Sequence, residues 1–221
     1  GAETGALALI VFTGLGAWLQ RRAERIPKSF FALWAFVALV IVLDYLLKLP
    51  FTIYRGYYVE SAFGFLNQSF FAWFGRSLLR LSLLALVAIV PAGLLYWAIR
   101  RFRRWWLVFT AAIAPVIVLL VVLAPVVISP LFNDFETLSD PSLRPRLAAL
   151  AERAGIADAA IYEIDASAQS SKVNAYVTGL FGSKRIVIYD TMLDRFTDDE
   201  IVFIVAHEMS HYVMDHVWWG V

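Results

Sequence analysis

The chain has 221 residues, of which 61% are hydrophobic and 17% charged, with a formal net charge of +1 and a mean hydropathy of +0.70. That composition places it among membrane proteins, and the near-zero net charge gives no case for a nucleic-acid partner. The absence of cysteine excludes disulfides and thiolate metal ligands.

In chain order, four apolar stretches are candidates for crossing a bilayer: 5–19, 30–47, 78–99 and 105–128. A crossing helix needs ~20 residues, so the last two are long enough, 30–47 is adequate although Asp44 interrupts it, and 5–19 is short. The first stretch begins beside Glu3, without a basic flank or a clear small-residue cleavage site, so it does not read as a signal peptide. It also lacks an initiator Met, and both ends of the chain are expected to be cut. Trp34, Trp73, Trp97, Trp105 and Trp106 lie within or close to these stretches and read as anchors at the lipid–water boundary. Pro91, Pro115 and Pro125 are expected to kink their helices. Asp44 and Arg80 admit two readings, a charge that snorkels from a span end or an intramembrane functional group. Arg21, Arg22, Arg25 and Lys28 fill the first loop, and Arg100, Arg101, Arg103 and Arg104 the third. The positive-inside rule puts these two loops in the cytoplasm, and the segment after residue 128 on the opposite side.

From residue 129 the character changes to that of a small water-facing domain, spaced as helix, strand, strand, strand, helix. Asp140 before Pro141 is an N-cap with Pro at N1, and Gly155 after LAALAERA is a stop signal. IYEID at 161–165 reads as a strand, and NAYVTG and KRIVIYD read as two more that can pair as a hairpin across GLFGSK. An exposed edge of such a hairpin can pair with an extended peptide; the plainer alternative is a structural hairpin.

The last helix is announced by Thr197 and Glu200, which fit a capping box, with Phe196 and Ile201 as its hydrophobic staple. The nearly unbroken apolar run Ile201–Ala206 predicts a helix buried on most sides. It carries HExxH as His207, Glu208 and His211, and every histidine of the chain lies between His207 and His216. Residues four apart share a helix face, so His207 and His211 can aim two imidazoles at one metal ion, with Glu208 beside it as a general base. HExxH also occurs by chance in unrelated helices; the confinement of all histidines to this run and the capping box upstream favour the metal site. His216 lies ~180° round the helix from His207 and reads as a capping or surface residue. Asp215 shares the face of His211 but is ~12 Å along the axis from His207, too far for a common ion whose ligands sit ~2 Å away. A third ligand must come from another segment, and with no other His or Cys it is expected to be Asp or Glu, downstream of Val221.

The strings LPFTIYRGYYVESAFGFLNQS, SPLFNDFETL, SKVNAYVTGLFGSKRIVIYDTM and VAHEMSHYVMDH, in this order and spacing, resemble the integral-membrane zinc metallopeptidases of the type I CAAX prenyl endopeptidase family. The resemblance covers about residues 5–221; NAY, KRIVxxDT and HExxH together are far more specific than HExxH alone. It implies a multi-pass α-helical membrane protein with a small α+β zincin-like metallopeptidase domain: a transmembrane region over 1–128 and, over 129–221, the N-terminal part of the protease domain, incomplete at its C-terminus. It implies a ring of seven transmembrane helices around a chamber, Zn2+ as cofactor and a protease domain on the cytoplasmic side, against the charge count. By position His207 and His211 become zinc ligands, Glu208 the catalytic base, and a downstream Glu the third ligand. His216 matches a histidine of the family pattern that does not bind zinc. Asn174, Ala175 and Tyr176 match the family's NAY strand, which borders the substrate cleft, while SAQSSKV before it departs from the usual small and basic residues. The expected partners are a peptide or protein substrate, prenylated at its C-terminus if the resemblance extends that far, and the lipid bilayer. The alternatives are a membrane quality-control metalloprotease of unprenylated substrates and a catalytically silent scaffold or metal-binding protein. This chain alone is expected to be inactive.

Overall fold

The computed structural model describes residues 12–23, 29–179 and 181–214. Its contacts divide the chain into two compact units. One runs to Phe63 and resumes from Ser69 to Val116, and the other joins Gly64–Gln68 to the chain from Ile117 onward.

In the first unit, α1 (Leu15–Ala23) is followed by α2 (Ser29–Ile53). Helix α2 passes Pro50 without ending and runs on through a π-helical turn, Tyr54–Val59, and one further turn, Glu60–Ala62. The resulting apolar helix, Phe31–Ala62, has 32 residues and is much longer than the stretch 30–47 read from hydropathy, because the polar run TIYRGYYVES is helical too. Gly64, at φ +71°, ends it in the left-handed conformation that glycine adopts without a Cβ penalty. Ser69 then opens α3 (Phe70–Val87), its hydroxyl accepting from the Ala72 N–H at 3.3 Å. Only Ala88 separates α3 from α4 (Ile89–Arg101), a break that lies just before Pro91, whose ring and missing N–H disturb the preceding turn. Together α3 and α4 form an apolar helix of 32 residues, Phe70–Arg101, so the third predicted span also starts earlier than residue 78. Phe102–Arg104 leads into α5 (Trp105–Leu123), which holds Pro115 inside an uninterrupted helix, and Pro125 falls in the π-helical turn Ala124–Ile128 that follows. Trp105–Leu131 spans 27 residues, ~40 Å of helix, enough to cross ~30 Å of hydrocarbon. Among the described residues three helices are thus long and apolar enough to cross a membrane; most of the stretch 5–19 lies outside the described residues.

Of the tryptophans expected at the lipid boundary, Trp34, Trp97, Trp105 and Trp106 are exposed. Trp73 is instead half-buried as a packing residue: its ring closes on Gly56, where a Cβ would stand 3.2 Å from it, and on Tyr57. Asp44 is not an isolated charge, since its Oδ2 pairs with Lys48 one turn on at 2.8 Å, while its Oδ1 is buried without a hydrogen-bond partner.

The second unit is a four-stranded sheet with helices on one face. Its strands are β1 (Phe135–Thr137), β2 (Ala160–Ile164), β3 (Ala175–Thr178) and β4 (Arg185–Tyr189), in the order β1-β2-β4-β3. The β1–β2 and β3–β4 pairs are antiparallel and β2–β4 is parallel. Strand β1 is absent from the sequence reading, because three residues, Phe-Glu-Thr, are too few to show a period of two. The expected hairpin of the two later strands is present. Helix α6 (Leu143–Arg153) buries Leu143, Leu147 and Ala151, one residue per turn. Its N-terminus is held by Asp140, whose carboxylate accepts the N–H groups of Ser142 and Leu143 at 2.8 and 3.0 Å. The Leu143 N–H first, then the Ser142 hydroxyl and N–H, pull the Asp140 carboxyl below its ordinary range. The last helix, α7 (Asp198–Val213), completes the core with Ile201, Val205 and Met209 against Ile161, Ile186 and Ile188 of the sheet. On the opposite sheet face Ile164 and Val187 are buried with Phe135, Tyr176 and Tyr189 packed around them.

Candidate metal and peptide site

Helix α7 starts where the sequence places it. The Glu200 carboxylate accepts the Thr197 N–H at 2.8 Å and the Thr197 hydroxyl at 2.9 Å, closing the capping box, and Phe196 packs on the cluster that contains Ile201. The helix is not buried on most sides. Its buried residues recur every four positions, at Ile201, Val205 and Met209, while Phe203 is 75% exposed. An apolar run hides this stripe, since Val202, Phe203 and Ile204 are as hydrophobic as the residues that enter the core.

At ~100° per residue, His207 and His211 project from the side of α7 opposite that stripe. His207 is exposed, and His211 and Glu208 are half-buried. The two rings face each other edge to face with centroids 4.6 Å apart, and their Nε2 atoms lie 3.0 Å from one another. Two nitrogens that close either share a proton or turn both lone pairs to a common cation. Two imidazoles on one tetrahedral zinc stand ~3.3 Å apart, for bonds of ~2.0–2.1 Å, so the pair fits one ion with almost no rearrangement. The Ser210 hydroxyl donates to the His207 carbonyl at 2.6 Å in the turn between them. Among the described residues no cluster of three or more His, Cys, Asp or Glu could hold a metal, so these two donors form an incomplete set. Asp215 and His216 lie outside the described residues.

Helix α7 packs chiefly against β3, the edge strand that begins with Ala175 and Tyr176 directly after Asn174. The Tyr212 hydroxyl donates to the Gly179 carbonyl at 2.8 Å, tying the last turn of α7 to the end of β3. Gly179 stands at φ +94°, and a Cβ there would run into the Ser183 carbonyl. Asn174 is exposed and uses its carbonyl to accept the Tyr189 N–H at 3.1 Å. Ala175 is buried in the core shared with α7, whereas Tyr176 packs on the other face of the sheet. Burial, and after it Tyr189, pushes the Tyr176 hydroxyl up to about 12, against an opposing effect of Arg185, so it stays protonated at neutral pH. What β3 offers at its free edge is main chain. The contact between Tyr212 and Gly179 has one local signal in the sequence, the glycine that opens the GLFGSK turn.

The sequence matches Peptidase family M48 over residues 137–220, and the CAAX prenyl protease N-terminal region, described as five membrane helices, over residues 2–134. The second match alone covers more than half of the chain. The chain belongs to the M48 CAAX prenyl protease family. It is 34% identical over 214 residues to the uncharacterized metalloprotease YhfN of Bacillus subtilis (strain 168), covering 96% of this chain and 50% of that protein. It is 32% identical over 189 residues to CAAX prenyl protease 1 of Saccharomyces cerevisiae, covering 82% of this chain and 41% of that protein. The crystal structure of S. mikatae Ste24p superimposes with a TM-score of 0.84 at 29% identity, over 95% of this chain and 51% of that one. The chain thus spans about half the length of these members of the M48 family. As a member of this metalloprotease family it is a multi-pass membrane protein, with long apolar helices and a small mixed α/β domain that resembles Ste24p.

Proposed function

We propose that this chain carries the zinc-binding helix and the peptide-binding strand of a membrane zinc metalloendopeptidase. One observation carries the reading: the convergence of the His207 and His211 Nε2 atoms at 3.0 Å on the helix that packs against edge strand β3. His207 and His211 hold the metal, with a carboxylate from outside this helix as third ligand. A zinc ion held there supplies Lewis acidity towards water and a peptide carbonyl. Glu208, next to His207, takes a proton from the attacking water and returns it to the leaving amine nitrogen. The free edge of β3, from Asn174 through Tyr176, pairs with the substrate main chain and holds its scissile bond beside α7.

The substrate we propose is the C-terminal peptide of a prenylated CAAX protein, in line with the name of the S. cerevisiae relative. We place the catalytic domain on the cytoplasmic side, against the arginine count of the loops. The test is cleavage of a fluorogenic farnesylated CAAX peptide and of its unprenylated twin by the whole protein in detergent. The reading expects metal-dependent cleavage with a preference for the farnesylated peptide. Equal cleavage of both moves the substrate to unprenylated membrane proteins, and zinc binding without cleavage of either leaves a metal-binding scaffold.

A further inference from the structure

The loop Gly64–Gln68 lies between two membrane-crossing helices, yet it belongs to the same compact unit as the sheet. It is hydrogen-bonded to the irregular segment that leads into β3. Asn67 donates twice, its N–H to the Gln169 carbonyl at 3.1 Å and its Nδ2 to the Ser167 carbonyl at 2.8 Å. In return the Ser171 N–H donates to the Phe65 carbonyl at 3.1 Å, and the Ser170 and Ser171 hydroxyls donate to the carbonyls of Phe65 and Gly64 at 2.8 and 2.7 Å. Leu66 and Ser170 thereby form an antiparallel bridge, with the Lys172 ammonium 5.4 Å above the Phe65 ring.

The same segment is gripped from its other side by the stretch between β4 and α7. Asp190 accepts the Ser167 N–H at 2.9 Å and the Ser167 hydroxyl, Thr191 donates to the Lys172 carbonyl at 2.8 Å, and Arg195 donates to the Ser171 carbonyl at 2.9 Å. Thr191 is only 4% exposed. A stretch with one turn of 3-10 helix, Ala166–Ala168, and no other regular structure thus has its main chain fixed on both flanks. Two residues after Lys172 it becomes Asn174 and then β3.

We propose that the Gly64–Gln68 loop is a positioning element for the peptide-binding strand, and that Asn67 is its positioning residue. The inference rests on the peptidase reading above. Asn67 spans two carbonyls two residues apart, so it sets both the height and the register at which the chain enters β3. A one-residue slip there would present the wrong main-chain groups to a bound peptide. The loop therefore ties substrate alignment to the turn between the first two long membrane helices.

The test uses the whole protein in detergent, with KM and kcat for a cleaved peptide, zinc content and melting temperature read for each variant. Asn67→Ala should raise KM about three- to tenfold, the size of one lost hydrogen bond, with kcat and zinc content near wild type. Asn67→Asp should be worse, because it turns a carboxylate oxygen to the Ser167 carbonyl. These 221 residues hold no cysteine, so once any cysteine elsewhere in the whole protein is replaced, Leu66→Cys with Ser170→Cys reports docking directly. A bridge of this kind brings Cα atoms to ~4.5 Å, within disulfide range. Oxidation should cross-link the pair and leave kcat/KM within about twofold of wild type. Wild-type KM in both Asn67 variants would overturn the positioning role, as would a cross-linked enzyme whose lost cleavage returns with dithiothreitol, since the loop would then have to leave. Zinc-loaded wild type that cleaves nothing sinks the peptidase reading instead, so the two failures are distinguishable.

Discussion

Glu200 decides where helix α7 begins, and its charge is part of that decision. The Thr197 N–H, and after it the Thr197 hydroxyl, hold its carboxyl below the ordinary range. A carboxyl lowered on folding contributes stability above its unfolded value and loses it as pH falls through the folded one. Melting temperatures of wild type and Glu200→Ala should therefore differ at pH 7 and converge in acid; a constant gap would show that the carboxylate is not what caps the helix. Gly179→Ala should cost more than the ~1–2 kcal/mol of a left-handed backbone alone, because the new methyl also meets the Ser183 carbonyl. Denaturant titration checks this, and a variant as stable as wild type would contradict the tight turn after β3. At this scale HExxH and the capping box were readable in the sequence, since each is made by residues three or four apart. The Tyr212 hydroxyl on the Gly179 carbonyl was not, because nothing local says which carbonyl a tyrosine 33 positions later will reach.

Strand β2 carries Glu163 directly opposite Glu136 of β1. Burial first, then the charges of Asp190, Glu136, Asp194 and Asp140, raise the Glu163 carboxyl above its ordinary range. A carboxyl raised on folding has its full stability below the unfolded value and loses it as pH rises through the folded one. At pH 7 the folded domain therefore bears a penalty, and Glu163→Gln should raise the melting temperature there with no gain in strong acid; a loss of stability at pH 7 would contradict it. The pairing behind this prediction was hidden because β1 is three residues long and was not recognised as a strand. Strands β2, β3 and β4 were readable because Ile161, Val177, Ile186 and Ile188 sit in β-branched runs bounded by turn residues. Helix α7 was readable in its start and wrong in its burial, since only contacts show that Phe203 faces away from the core.

For the whole molecule, composition alone carried the membrane assignment, and the helices proved longer than hydropathy windows because polar runs such as TIYRGYYVES continue them. The docking of Gly64–Gln68 on a segment a hundred positions later has no counterpart in local pattern. Orientation is open to a direct check in intact cells with a membrane-impermeant maleimide. The proposed topology predicts that Asp158→Cys, exposed on the catalytic unit, labels only after permeabilisation; labelling from outside would favour the arginine count. In the proposed mechanism His207 and His211 hold a zinc ion beside which Glu208 moves a proton. This mechanism is tested most directly by measuring bound zinc and peptide turnover together in wild type, Glu208→Gln and His207→Ala of the whole protein. Zinc is expected in the first two but not the third, with turnover in Glu208→Gln reduced about 10²–10⁴-fold. Zinc retained by His207→Ala, or wild-type turnover by Glu208→Gln, would contradict it.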